Sequence, residues 1–321
     1  MATLRSDIII PEIFTPYVIE QTTQRDAFLA SGVVQPMAEL NATEGGDFIN
    51  VPFFKANLSG DFEVLSDSTS LTPGKITADK QVGVILHRGR AFESRDLAAL
   101  AAGSDPMAAI GAKIADYIAF QRQKDLLSCL AGVFGSLGSN DSASFVDLTI
   151  DGLTADTPTV LSPRHVAEAR SLLGDQGDKL TAICMHSKVY YDLVERKAID
   201  YVSTLEARGT TTTQSGGSLV GAYGGDASVP TYMGLRVIVS DDVQTAGSGS
   251  STEYATYFFT NGAVASGEQL ALQTETDRDI LAKSDAMSID LHYVYHPVGA
   301  KWGVSTVNPT RAQLETIGNW S

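Results

Sequence analysis

The sequence predicts an α+β fold in which one long helix and several long strands are separated by glycine-rich segments, not alternated as βαβ units. A helical apolar stripe begins at Asp105-Pro106, a strict two-residue alternation covers 287–295, and low-complexity Gly/Ser/Thr stretches interrupt the middle of the chain.

The helix is the clearest element. Met107, Ile110, Ile114, Tyr117 and Ile118 recur at helical spacing, and Leu126, Leu127, Leu130 and Phe134 extend the stripe. Asp105 suits an N-cap and Pro106 the first helical position, whose N–H has no intrahelical partner. Gly132 and Gly135 are expected to end it, giving a spine of about 105–134, or about 40 Å at ~1.5 Å per residue. Lys113, Asp116, Gln123 and Lys124 mark a face expected to meet water.

Before the spine, residues 1–36 are apolar without sustained helical period and are punctuated by Pro11, Pro16 and Pro36. They read as an extended arm with one short helix within 17–30, lying on other protein because its apolar groups would not remain in water. After Gly45-Gly46, Phe48, Val51, Phe53 and Phe54 form a strand-like run, and Phe62, Val64 and Leu65 a shorter one. A polar stretch and the turn signal Pro73-Gly74 lead into alternating Val82, Val84 and Leu86. The result is a projecting hairpin of about forty residues, too long and too polar at its tip for an ordinary connection.

Beyond the spine, a Gly/Ser/Asp/Thr-rich linker at 136–160 precedes a helix from Ser162-Pro163 to Leu173, stopped by Gly174. A strand at 180–186, a helix at 187–196, a long glycine-rich loop at 203–228 and strands at 235–239 and 255–260 follow. Met287, Ile289, Leu291, Tyr293 and Tyr295 then alternate with polar residues in a strand with one buried face, ended by Pro297 and Gly299. A short tail carries Trp302 and Trp320.

Composition argues against most chemistry. Of 321 residues, 43% are hydrophobic and 19% charged, the balance of a globular protein. No apolar run approaches the roughly 20 residues of a membrane span, and no signal core opens the chain, so a cytosolic product is expected. The 23 Lys and Arg against 38 Asp and Glu give a net charge of −15, the opposite of a protein that grips nucleic acid; any DNA it faces would be contacted only non-specifically. Cys129 and Cys184 read as small buried hydrophobes.

No phosphate loop, dinucleotide fingerprint or nucleophile elbow occurs. His292 and His296 would share a strand face about 13 Å apart at ~3.3 Å per residue, too far for one metal ion. His165 and His186 lack acidic partners in any recognisable motif. Glu63, Glu93, Asp96 and the Asp277-Arg278-Asp279 cluster could supply a general acid and base, but nothing in their spacing selects a pair. No catalytic residue, cofactor or metal is therefore assigned. Arg88, Arg90 and Arg95 beside Glu93 and Asp96 suit either a solvated face or a contact between subunits, since guanidinium pairs bidentately with carboxylate.

The order of these elements resembles the Hong Kong 97 fold of tailed-bacteriophage major capsid proteins. The carrying residues are Ile10-Pro11-Glu12-Ile13-Phe14 with Glu20-Gln21-Thr22, Gly45-Gly46-Asp47-Phe48 with Val51-Pro52-Phe53-Phe54, Lys188-Val189-Tyr190, and the run from Gly234-Leu235-Arg236 to Ser240-Asp241-Asp242. The resemblance implies an N-terminal arm at 1–44, an extended E-loop hairpin at 45–88, and a P-domain at 89–144 containing the spine. It further implies an A-domain at 145–275 and a P-domain return strand with tail at 276–321.

The implied function is structural: a subunit of the virion capsid, built in the host cytoplasm, that assembles as hexamers and pentamers of an icosahedral shell around double-stranded DNA. Phe14, Tyr17, Phe53, Phe54, Phe62, Arg88, Arg90 and Arg95 would contact other copies, and Gly45, Gly46 and Gly89 would be hinges. The chain lacks a long charged helical N-terminal extension, which implies a separate scaffolding protein; a portal and a cement protein are further implied partners. Some such shells carry Lys–Asn cross-links, for which Lys55 or Lys75 and Asn308 would be the candidates. The alternatives are an encapsulin-like nanocompartment shell, a tail-tube or decoration protein, and a carboxylate-dependent hydrolase.

Overall fold

The computed structural model describes residues 27–41, 46–54, 76–96, 106–139, 161–203, 228–246 and 252–321. In chain order these form α1 (Ala27–Ala30), β1 (Val34–Pro36), β2 (Phe48–Phe54), β3 (Ala78–Val84), β4 (Leu86–Arg95) and the spine helix α2 (Pro106–Ser139). Next come α3 (Pro163–Leu172), β5 (Leu180–Met185), α4 (Ser187–Glu195), β6 (Asp200–Ser203), β7 (Ser228–Tyr232) and β8 (Leu235–Val239). The chain finishes with β9 (Thr245–Ala246), β10 (Glu253–Tyr254), β11 (Tyr257–Thr260), β12 (Val264–Asp279), β13 (Ser284–Pro297) and α5 (Arg311–Leu314).

Two larger sheets organise these elements. One has the order β1-β12-β13-β4, in which β12 and β13 are a long antiparallel pair running from Val264↔Pro297 to Asp279↔Ser284. The other has the order β11-β5-β8-β7-β6, with only β5 and β8 parallel. Strand period sorts β5 between two cores: Ala182 and Cys184 face the core containing the second half of α2, while Ile183 and Met185 face Val166 of α3 and Leu193 of α4. Both cysteines are buried, and burial raises the Cys184 thiol to about 12.

The spine is longer than its glycines suggested, because Gly132 and Gly135 do not cap it. They sit inside the helix where the C-terminal tail presses closest. A Cβ on Gly132 would stand 1.8 Å from the Leu314 carbonyl oxygen and 2.8 Å from Trp320 Nε1, and one on Gly135 would meet Ile317 Cγ1 at 3.1 Å. The tail is thus part of the core, with Trp302 and Trp320 buried edge-to-face at 5.0 Å. The expected wet face is also partly covered. Gln123 Nε2 donates to Ser240 Oγ at 2.7 Å and Lys124 pairs with Asp242 at 3.2 Å, so the loop after β8 packs there.

Strand β12 went unread in the sequence, and the expected boundary at 275 falls inside it. Its distal half is largely exposed and rich in Thr, Glu and Asp, so no apolar alternation marks it. The divide between the two sheets lies instead at the turn between Thr260 and Val264. The alternating run at 82–86 is likewise two strands: Val84 and Leu86 face the main core, while Ile85 packs with Leu40, Val51, Ala265 and Val294. That second cluster buries both faces of β13 at its end, where a single buried face was expected.

Strands β2 and β3 pair antiparallel from Phe48↔Val84 to Phe54↔Ala78. His296 ties this pair to β13 through a 2.8 Å contact of Nε2 with Gln81 Oε1, and burial lowers its pKa to about 4, keeping it neutral. His292 stacks on His87 with ring centroids 4.3 Å apart. His186 caps α4 by accepting from the Lys188 N–H, and His165 accepts from the Ser162 N–H at the start of α3. Among the described residues no three His, Cys, Asp or Glu side chains converge on a metal position, and no helix is long and apolar enough to cross a membrane.

The glycine assignment is testable by denaturant unfolding. Gly132→Ala, which in a free helix would stabilise, should instead cost about 3 kcal/mol through overpacking against backbone, whereas Gly135→Ala should stay within about 1 kcal/mol because Ile317 can yield. Equal effects at both positions would contradict the packing account.

Candidate functional site

The spine carries a carboxylate on its apolar stripe two turns beyond Ile118. Asp125 is 0% exposed. An isolated buried carboxylate would cost several kcal/mol, so its partners decide whether it is tolerated. It has three. Arg88 of β4 donates from Nε at 3.2 Å, Tyr293 of β13 donates its hydroxyl at 2.5 Å, and Arg311 of α5 donates from Nε.

Each arginine is held in turn. Arg88 donates through Nη2 to the Pro309 carbonyl at 2.7 Å and through Nη1 to Asn308 Oδ1 at 2.9 Å. Arg311 donates through Nη2 to Gln121 Oε1 at 2.6 Å, and Thr310 caps the turn carrying it. Asn308 reaches its position through a left-handed backbone, φ 42°. The knot therefore joins α2, β4, β13 and the tail at one buried charge. Burial and then the Asp125 charge push the Tyr293 phenol well above its usual range, so it is a donor throughout the physiological pH range.

Arg122 lies beside the knot, its guanidinium 5.2 Å from the Tyr293 ring centre and 5.7 Å from that of Tyr295. Burial opposes its charge, but Tyr295 and then Glu268, 3.6 Å away, hold its pKa above the ordinary arginine value. Arg88, Arg90, Arg122 and Arg311 all line a cavity of about 90 Å³ between α2 and the helix-facing side of β4.

The residues expected to meet other copies divide three ways. Phe14, Tyr17, Phe62 and Gly45 lie outside the described residues, as do Glu63, Lys55 and Lys75. Phe53 and Phe54 are exposed at the distal end of β2, Phe54 by 73%, and Arg90 and Arg95 are exposed on β4. Arg88 is committed within the subunit, because its donors are spent on Asp125 and the tail. Gly89, expected as a hinge, sits inside regular β4, where a Cβ would stand 2.2 Å from Asp290 Oδ1. Gly46, at φ 116°, does occupy a conformation that favours glycine.

The suspected acidic cluster is structural. Arg278 bridges Asp96 at 2.8 Å and Asp285 at 2.7 Å, and Asp279 Oδ1 accepts from the Leu281 and Ala282 N–H groups in the β12–β13 turn. That turn holds Ile280 and Leu281 80% and 97% exposed, an apolar tip that sequence reading missed. The signal was an apolar pair inside a charged run. Asp125, Arg122 and Arg311 were missed as well, although charges at helical spacing on an apolar stripe were visible for the first two.

If Asp125 is the common anchor, Asp125→Ala leaves two guanidiniums facing each other and should destabilise the subunit by about 3–5 kcal/mol in denaturant titrations. Asp125→Asn should lose less, since the amide still accepts from one arginine. A loss within about 0.5 kcal/mol for Asp125→Ala, the level of an ordinary surface change, would refute the anchor.

Residues 12–321 match the family model Gp13-like, described as major capsid protein 13-like. The chain is 38% identical over 325 residues to the major capsid protein of Bacillus phage SPP1, covering 98% of this chain and 92% of that protein. In fold it is similar to the capsid of cyanophage Pam1, with TM-score 0.52 at 15% identity over 83% of this chain and 84% of that one. The capsid structure of cyanophage P-SCSP1u gives 0.51 at 14% identity over 82% of each chain. With the spine, the long β12–β13 pair and the second sheet in their observed order, the chain has the Hong Kong 97-like capsid fold and belongs to the Gp13-like family of tailed-phage major capsid proteins, structural components of the virion shell.

Proposed function

We propose that this subunit builds hexamers and pentamers by laying its β2–β3 hairpin, the E-loop of residues 45–88, over a neighbouring copy. The supporting observation is the burial gradient along the hairpin. At its base, Val51 and Val84 are buried against the subunit's own cores, whereas Phe53, Phe54 and residues 78–80 at the other end are exposed. A paired strand that ends in two uncovered phenylalanines is stable in contact with further protein, at ~25 cal/mol per Å² of apolar surface covered.

The arm at 1–44, with Phe14 and Tyr17, and the tip residue Phe62 add contact surface, and Gly46 with Gly45 provides the pivot that fits one sequence to two ring sizes. The sheet β11-β5-β8-β7-β6 with α3 and α4 is the A-domain, its loop at 203–228 near the ring centre. Ile280 and Leu281 at the β12–β13 tip offer a second apolar contact to another copy. A separate scaffolding protein, a portal and a cement protein are the proposed partners, and enclosed double-stranded DNA is held loosely by an acidic protein.

Deleting residues 56–74 tests the hairpin assignment. The variant should give a soluble subunit with unchanged thermal midpoint that forms no closed shells by negative-stain electron microscopy in the presence of its scaffold. Normal shells from this variant would refute it.

A further inference from the structure

The pocket under β4 carries more positive charge than the subunit uses. Four guanidiniums, from Arg88, Arg90, Arg122 and Arg311, line it, against the carboxylates of Asp125 and, beside Arg122, Glu268. Arg90 is the one left over. It is exposed on β4 and, among the described residues, has neither a hydrogen bond nor an ion pair. In a chain of net charge −15, an unpaired guanidinium at the mouth of an arginine-lined cavity is a local exception.

The strand that bears it is also incomplete. Among the described residues β4 is the edge of its sheet, with β13 on one side only. The His87 N–H donates to Asn308 Oδ1 and so points away from β13, while the Asp96 N–H donates to the Lys283 carbonyl and points toward it. With the two-residue strand period, the N–H and C=O groups of Gly89, Ala91 and Glu93 face outward like those of His87. These positions are exposed, and the small side chain of Ala91 leaves its stretch of backbone open to a close approach. Alternating donors and acceptors along an edge recognise an extended peptide, and a guanidinium on the pocket face recognises a carboxylate carried by it.

We propose that the free edge of β4 docks an extended acidic segment of a second copy of this chain, which pairs with the backbone at Gly89, Ala91 and Glu93 and seats a carboxylate against Arg90. This rests on the shell-forming role of the family. Nucleic acid fits the site poorly, because a strand edge offers as many acceptors as donors and phosphate needs donors alone.

The test uses full-length chain carrying p-benzoylphenylalanine in place of Ala91, assembled into shells as an equal mixture of unlabelled and ¹⁵N-labelled copies. Photolysis should give cross-linked peptide pairs of mixed isotope content, the partner peptide being rich in Asp or Glu. Cross-links confined to one copy, or to nucleic acid, would overturn the proposal. In parallel, Arg90→Glu should leave the thermal midpoint of the unassembled subunit unchanged and cut shell yield at least about tenfold, with Arg90→Lys retaining part of it. Undiminished shell yield from Arg90→Glu would also overturn it. Failure of the unmodified chain to form shells would instead strike at the shell-forming role itself, and would be seen before any variant is compared.

Discussion

A carboxylate sealed inside the subunit sets the arrangement of everything around it. Asp125 can stay buried only while Arg88, Arg311 and Tyr293 satisfy it, and these come from an edge strand, the tail and the central strand. Removing any one element would strand charge in a low-dielectric interior, which is far costlier than losing an apolar contact of similar size. The knot thus acts as a registration device. It fixes where β4 lies along α2 and where the tail crosses the helix, and Gly132 then permits the tail to approach to backbone contact.

Much of the frame was legible in the sequence because local signals and tertiary roles agree there. Ser162-Pro163 opens α3, the run at 235–239 is β8, and the alternation through Met287, Ile289, Tyr293 and Tyr295 is buried against α2 or the main core. The failures have physical causes. β12 is hidden because its long distal half faces solvent, so pairing with β13 rather than burial holds it as a strand. Gly132 and Gly135 misled because glycine both ends helices and admits close neighbours, and only the tail's position distinguishes the two. Arg88 looked like a surface contact because its partner Asp125 is distant in sequence and reached only through the fold.

The subunit is accordingly finished inside and unfinished outside. Its cores are closed, with both cysteines and the two tail tryptophans buried. Among the described residues, the uncovered features include the distal end of β2, the β12–β13 tip and the outer edge of β4 with Arg90, and these three sit on strands anchored by buried partners. Rigid presentation of incomplete surface lowers the entropy lost on association, so contacts that are individually weak can close a many-copy shell.

The most direct test of that division is residue-resolved amide hydrogen exchange on the free subunit and on assembled shells. The buried stretch of α2 around Asp125 and the β12–β13 ladder should be protected in both states. The outward amides of Gly89, Ala91 and Glu93 should exchange rapidly in the free subunit and become protected only in shells. Protection of those edge amides already in the free subunit, or their continued rapid exchange in shells, would contradict the account.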